Sequence, residues 1–397
     1  MAAPSMEMHK LFAVSSPGLE AFTARELRRL GMRLCHSTSG MERPVMPEES
    51  GEEGGGVEFF GFLADLYRVN LCLRTASRVL VRLGTFLAAT FPELRRKASH
   101  LPWESFLPPE RPVALRVACH KSRLYHQGAV AERVVGAIAD RLGASPPLDK
   151  FNETAGISLP QLILVRMADN LCTISADSSG ALLHRRGYRL DAAKAPLRET
   201  LASGMLLASR WDGSSPLIDP FCGSGTIAIE AALMARHLPP GRQRRFAFMD
   251  WPNFDPRTWE RMLTEEEPQA VASLPKLIAS DRDAGAIAAA RANAQRAGVA
   301  ESIEFSARSI SALEPPPGPG WIVTNPPYGV RTGSQRDLRN LYARFGKVLR
   351  AKCPGWQITM LCSSPMLLHS TGLKFDEERT VDNGGLKVKL VKGRIEE

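Results

Sequence analysis

Leu217-Ile218-Asp219-Pro220-Phe221-Cys222-Gly223-Ser224-Gly225-Thr226 runs from a short apolar strand, through an acid and two glycines, into an apolar helical pattern that continues to His237. Glycines at such a turn let the backbone approach a ligand where a side chain would collide. The first N–H groups of the following helix are free for polar ligand atoms. Outward from this turn the chain alternates helix and strand. Leu197 to Trp211 and Ala284 to Gly298 read as helices; Lys276 to Ala279 and Trp321 to Thr324 read as continuous apolar strands. That alternation predicts a mostly parallel, doubly wound sheet. Val381 to Lys392, with Asn383-Gly384 as turn signal, predicts a closing antiparallel hairpin.

Two further motifs fall at strand ends of this pattern. Asp281 follows Leu277 to Ser280, where an acid can accept hydrogen bonds from a ribose diol. The alternative role for Asp281 or Asp283 is a helix N-cap. Thr324-Asn325-Pro326-Pro327-Tyr328-Gly329 follows the strand from Trp321. Two prolines fix the backbone, so the Asn325 side-chain oxygen and the Pro326 carbonyl form a pair of acceptors. A planar exocyclic amine is a poor nucleophile, because its lone pair is delocalised into the base. Two acceptors holding its two hydrogens favour pyramidal nitrogen and free that lone pair. Tyr328 offers a face on which a flipped base can stack.

The N-terminal part has a different character. Leu11–Val14 reads as a strand, with Ser16 as N-cap and Pro17 as first residue of a helix that stops at Gly31. Residues 41–56, with five glutamates and one arginine, read as an exposed acidic loop. From Phe59 to Lys150 there are 14 Lys+Arg against 7 Asp+Glu, so most of the chain's net +9 lies in about a quarter of its 397 residues. Strands at 78–83, 113–118, 161–166 and 171–176 and a helix at 128–142 make this an α+β module with cations at strand ends, Lys121 and Arg123 among them. His184-Arg185-Arg186-Gly187-Tyr188-Arg189 reads as a basic hinge. Of the 51 cationic side chains 39 are arginine, whose fork grips phosphate bidentately.

The composition is that of a globular chain and excludes wholesale disorder. No run approaches 18 consecutive apolar residues, so no membrane helix is expected. Met1 to Lys10 does not read as a secretory leader. The seven cysteines form no C-x-x-C pair, so neither zinc nor a disulfide framework is expected. A cytoplasmic protein is the reading.

Asp219–Thr226, Asp281 and Asn325–Tyr328 together resemble the S-adenosylmethionine motif, ribose acid and N-P-P-Y motif of amino-group methyltransferases. Ser16-Pro17-Gly18-Leu19-Glu20, the 59–165 module, Leu183 to Arg189 through Ala195 to Glu199, and Arg245 to Trp259 are similar to the THUMP-domain RNA methyltransferases, and most to the bacterial large-subunit rRNA guanine-N2 enzymes of RlmL type. The resemblance implies three domains: ferredoxin-like 1–58 with the acidic loop, THUMP 59–178, and a Rossmann-like class I methyltransferase domain 179–397 with an insertion at 238–275. It implies S-adenosylmethionine as cofactor, held by Asp219, Pro220, Cys222, Gly223, Gly225, Thr226, Asp281, Ser309 and Asn325. Ser309 stands where the family carries an acid near the adenine amino group. Asn325, Pro326, Pro327 and Tyr328 carry the chemistry, without a metal. Lys121, Arg123, His184, Arg185, Arg186 and Arg331 are RNA-backbone candidates. The expected product is N2-methylguanosine in 23S rRNA. Alternatives are a tRNA guanine-N2 enzyme, a DNA adenine-N6 enzyme, or a non-catalytic RNA-binding protein.

Overall fold

Two seven-stranded sheets organise the chain in a computed structural model that describes residues 7–35, 55–108, 110–152, 159–190, 197–266, 274–328 and 335–396. The acidic loop lies almost wholly outside the described residues. Two compact units form, and they do not follow chain order. One takes described residues within Met1–Ser15, Thr23–Leu183 and Arg244–Glu265; the other takes those within Ser16–Phe22, His184–Gln243 and Glu266–Glu397.

The first unit is built on β1 (His9–Ser15), α1 (Glu20–Arg29), β2 (Arg33–Leu34), β3 (Gly56–Gly61), α2 (Leu63–Cys72), β4 (Ala76–Leu87), α3 (Phe91–Ser99), β5 (Val113–His120), α4 (Gln127–Leu142), β6 (Gln161–Ala168) and β7 (Leu171–Asp177). Its sheet order is β2-β3-β1-β4-β7-β6-β5. The first four strands with α1 and α2 make the split β-α-β arrangement of a ferredoxin-like fold. The expected boundary at 58/59 therefore falls inside β3, and the ferredoxin-like half runs on through β4. The acidic composition before residue 56 suggested an end, but Gly56–Gly61 pairs back onto β1 along its whole length. β4 is shared: Ala76 to Val81 pairs with β1, and Leu80 to Leu87 pairs with β7. The hairpin between β6 and β7 turns on Asp169 and Asn170, both left-handed (φ 51° and 65°), a conformation these short polar side chains tolerate.

α1 begins at Glu20, not after Ser16. Gly18 adopts φ +90°, and the Leu19 N–H donates to the Ser16 carbonyl at 3.0 Å. A left-handed residue at that point breaks the helix that Ser16 and Pro17 would otherwise start.

The second unit comprises α5 (Glu199–Ser209), β8 (Leu217–Asp219), α6 (Thr226–Ala235), β9 (Leu277–Asp281), α8 (Ala284–Ala297), β10 (Ile303–Ala307), β11 (Trp321–Thr324), α9 (Gln335–Lys352), β12 (Gln357–Cys362), α10 (Pro365–Ser370), β13 (Glu377–Asn383) and β14 (Leu386–Arg394); α7 (Pro256–Glu265) belongs to the first unit. The order is β10-β9-β8-β11-β12-β14-β13, parallel from β10 to β12 and antiparallel at β14 and β13. This is the class I methyltransferase sheet. α5 and α6 are buried nearly all round, which is why most of their residues are apolar or small, the ion-paired Glu199 and Glu230 excepted. α5, expected from Leu197, begins at Glu199.

The expected insertion 238–275 is divided between the units. Phe246, Phe248 and Trp251 are buried in the first unit's core. The Phe248 ring stacks on Tyr67 at 4.6 Å, and the Trp251 indole N–H donates to Gln161 Oε1 at 2.8 Å. These aromatics have no comparable apolar pocket in an exposed loop, so the segment is recruited to the first unit. Phe248→Ala is expected to lower stability by about 3–5 kcal/mol in urea unfolding. A loss below about 1 kcal/mol would mean the segment is not part of that core.

Candidate active site

β8 and β11 are neighbours at the point where strand order reverses, and the crevice beyond their carboxyl ends is where ligands bind in such sheets. Asp219 ends β8 and is 1% exposed. Its Oδ1 accepts from Thr324 Oγ1 at 2.6 Å and from the Phe221 N–H at 3.2 Å. Burial pushes its carboxyl up to about 7, with the nearby Asp281 charge adding to the rise and the two hydrogen bonds opposing it.

The turn after Asp219 is pinned by backbone bonds: the Cys222 N–H donates to the Ser280 carbonyl at 3.0 Å, and the Gly225 N–H to the Cys222 carbonyl at 2.8 Å. Gly225 (φ +85°) packs so closely that a Cβ there would lie 2.9 Å from Ala290 Cβ. Gly223 (φ +50°) is the reverse case, because a Cβ there would meet nothing within 4 Å. It borders an open cradle. The Gly223 N–H donates to Asp281 Oδ2 at 3.1 Å, and Asp281 Oδ1 accepts from the Asp283 N–H at 3.0 Å. Asp283, not Asp281, caps α8, accepting from the Gly285 and Ala286 N–H groups. The capping role that the sequence left open to either acid is therefore that of Asp283. Pro220 is buried within the turn, and Thr226 opens α6. Cys222 is buried, and burial, then Asp219 and Asp281, push its thiol well up, so it stays protonated and is no nucleophile. Ser309 is exposed just past β10, where its carbonyl accepts the Ala312 N–H at 3.0 Å. Asn293 on α8 donates to the Ser224 carbonyl at 3.1 Å, a support for the turn that helical periodicity alone does not reveal.

Asn325-Pro326-Pro327-Tyr328 leaves β11 directly after Thr324. Asn325 Oδ1 is buried and has no hydrogen-bond partner among the described residues. An unpaired buried carbonyl costs roughly 1–3 kcal/mol. Pro326 is buried, and Tyr328 is half-buried, its phenol oxygen accepting from Asn383 Nδ2 at 2.7 Å. Gly329 and Arg331 lie outside the described residues.

The nucleic-acid candidates divide. Lys121 and Arg123 are exposed past the end of β5, where Ser122 Oγ donates to the His120 carbonyl and Asn170 Oδ1 accepts the Arg123 N–H at 2.8 Å. Tyr125, 74% exposed beside them, is an aromatic face the sequence reading passed over. Arg185 is exposed. Arg186 is a correction: it is 2% exposed and ion-paired with Glu230 at 3.6 Å. Glu230 also accepts from Tyr188 Oη at 3.0 Å and Ser203 Oγ at 2.7 Å. Arg186 cannot reach a phosphate because its guanidinium is spent inside the unit. His184 carries no charge to offer a phosphate. Burial, followed by the charges of Arg198, Arg189, Arg186 and Arg185, holds it down to about 3, so it is neutral at pH 7. Within the same unit Arg189 is tied to Glu199 at 2.9 Å as well.

A class I methyltransferase is what this sheet and crevice define. The family model described as RMKL-like, methyltransferase domain, matches residues 186–392, and one for the RlmL ferredoxin-like domain matches residues 48–80. The chain is 34% identical to slr0064 of Synechocystis sp., a candidate RNA methyltransferase, over 96% of this chain and 95% of that one. It is 35% identical to the ribosomal RNA large subunit methyltransferase K/L of Shewanella sp. (strain MR-4), over 96% of this chain and 52% of that one, and so spans about half that relative's length. Among solved structures, SMU.472, a candidate methyltransferase complexed with SAH, superposes with TM-score 0.82 at 28% identity, covering 97% and 98% of the two chains. A candidate N6-adenine-specific DNA methylase from Listeria monocytogenes str. 4b F2365 superposes with TM-score 0.84 at 30% identity, covering 98% and 97%. The chain belongs to the RMKL-like methyltransferase family.

Two outcomes test this geometry. Arg186→Ala, which strands Glu230, is expected to cost about 3–5 kcal/mol of stability, while Lys121→Ala and Arg123→Ala stay within about 0.5 kcal/mol. Equal effects in urea unfolding would contradict the burial. Asp219 is protonated in both states below its unfolded pKa of 3.8. Between there and about 7 the folded state keeps the proton that the unfolded chain loses, so this group's contribution to stability falls as pH rises through that window. Asp219→Asn does not titrate. Its stability relative to wild type should therefore rise from pH 4 to pH 7.5, and a pH-independent difference would contradict the shift.

Proposed function

We propose that this chain transfers a methyl group from S-adenosylmethionine to the exocyclic N2 amine of a guanine in 23S rRNA. The observation that carries the reading is the buried Asn325 Oδ1, without a hydrogen-bond partner among the described residues, just past the end of β11 and one strand from the glycine turn. The open space above Gly223 and the carboxylate of Asp281 beside it fit a polar, cationic cofactor. Asp219, Pro220, Cys222, Gly223, Gly225, Thr226, Asp281, Ser309 and Asn325 would line its site. The cofactor's sulfonium supplies a methyl group already activated for attack by nitrogen. What the protein adds is alignment, worth several kcal/mol. Asn325 Oδ1 and the Pro326 carbonyl accept the two amine hydrogens, Pro326 and Pro327 hold the backbone, and Tyr328 stacks the base. The amine proton leaves to water.

The RNA choice rests on the ribosomal RNA methyltransferase relatives and on the local +7 between Phe59 and Lys150. The part of the first unit after β4, up to about residue 178, is assigned as a THUMP module with Lys121 and Arg123 on the RNA backbone, and Arg185 serves the same role in the second unit. The cytoplasm, where ribosomal RNA is, is the assigned compartment. A DNA adenine-N6 activity is the second reading, favoured by the name of the Listeria neighbour and by a motif that serves either amine.

Asn325→Ala tests the assignment. Methyl transfer to RNA is expected to fall by about 10²–10³-fold, while S-adenosylmethionine binding by calorimetry is unchanged. Transfer at the wild-type rate would remove Asn325 from the chemistry.

A further inference from the structure

We propose that Asn383 is a positioning residue for Tyr328, fixing the plane of the ring on which the target base stacks. The proposal rests on the function assigned above for what the ring does, and on the structure alone for what holds it.

Asn383-Gly384 reads in sequence as a turn signal, because asparagine tolerates the left-handed backbone of tight hairpins. The structure assigns the turn elsewhere. The residues with positive φ are Gly384 (+65°) and Gly385 (+90°). Asn383 is the last residue of β13, paired in register with Leu386. Hairpin geometry therefore does not require asparagine at 383. Its side chain instead donates from Nδ2 to the Tyr328 phenol oxygen at 2.7 Å, across 55 residues of sequence. A tyrosine ring joined only through Cβ can swing about two torsions. A hydrogen bond at its far end removes that freedom. The phenol O–H keeps its own proton to donate.

The strand that carries Asn383 is itself braced. β13 is an edge strand, with β14 on one side only. The Ser16–Phe22 segment packs against it: the Asp382 N–H donates to the Pro17 carbonyl at 3.2 Å, and Arg379 lies over the Phe22 ring at 5.3 Å. A Cβ at Gly18 would sit 2.3 Å from the Thr380 carbonyl oxygen, so only glycine permits this approach. Ser16-Pro17-Gly18-Leu19-Glu20 thus has a physical role: it covers the edge that presents Asn383 to Tyr328.

The test uses the full chain with 13Cζ-labelled tyrosine. The chain has five tyrosines, and the Tyr328 resonance is identified by its loss in Tyr328→Phe. Asn383→Leu, of similar size but without a donor, is expected to shift the Tyr328 resonance and leave the other four in place. The same variant is expected to lower kcat for RNA methylation by about tenfold with KM for RNA unchanged, since a small misplacement of a reacting group is costly. In a Tyr328→Phe background, which lacks the phenol oxygen, it should cost nothing further. Asn383→Ala provides the same readings should the leucine variant fold poorly. An unmoved Tyr328 resonance, or an equal kcat loss in both backgrounds, would overturn the proposal. If wild-type protein methylates no RNA while the resonance still shifts, the functional assignment fails and the positioning role stands.

Discussion

The hydrogen bond from Thr324 to the buried carboxylate of Asp219 is the constraint on which the site depends. β8 and β11 pair only through Leu217–Trp321 and Ile218–Ile322. One step further the strands part to make the crevice, and the backbone ladder stops. The Asp219–Thr324 bond continues it with side chains at 2.6 Å. The glycine turn hangs from Asp219, and the Asn-Pro-Pro-Tyr motif follows directly from Thr324. One buried bond therefore registers the glycine turn against the Asn-Pro-Pro-Tyr motif. The burial that makes the bond strong also penalises charge on Asp219, which brings its carboxyl to the edge of neutrality at physiological pH.

The catalytic half was legible because parallel strands are buried on both faces and show as unbroken apolar runs. Leu217–Ile218, Leu277–Ala279 and Trp321–Thr324 announce themselves, and a motif read at a strand end is placed at once. Boundaries and partners were less legible, because their causes lie far away in sequence. The ferredoxin-like half runs through β4 because β3 pairs back to β1, which the acidic composition before it conceals. Ser16 and Pro17 satisfy the local rule for starting a helix, yet Gly18, forced left-handed beneath Thr380, overrides it. Asn383 announces a turn but serves Tyr328.

Arginine illustrates the same limit. Its abundance suggested phosphate contacts, and part of it is internal instead. Arg78 bonds Asp177 and the Gly180 carbonyl, both at 2.5 Å, inside the first unit. Arg244 donates to the carbonyls of Leu182 and Ser179 there, and Arg186 and Arg189 secure the 184–189 segment in the second unit. Five donors on one planar group let arginine gather carbonyls and carboxylates from separate loops, which lysine cannot do. Under the proposed function the cations available to RNA are exposed ones at strand ends, Lys121 and Arg123 among them. They share their surface with the exposed ring of Tyr125.

The central claim is that the Asn325 site acts on a guanine N2 amine of large-subunit RNA. Nucleoside mass spectrometry tests it most directly, on 23S rRNA, tRNA and DNA taken from cells lacking this gene and treated with the purified protein and S-adenosylmethionine. The account predicts new N2-methylguanosine in 23S rRNA alone. New N2-methylguanosine in tRNA only, or no methylated guanine alongside N6-methyladenine formed in DNA, would contradict it.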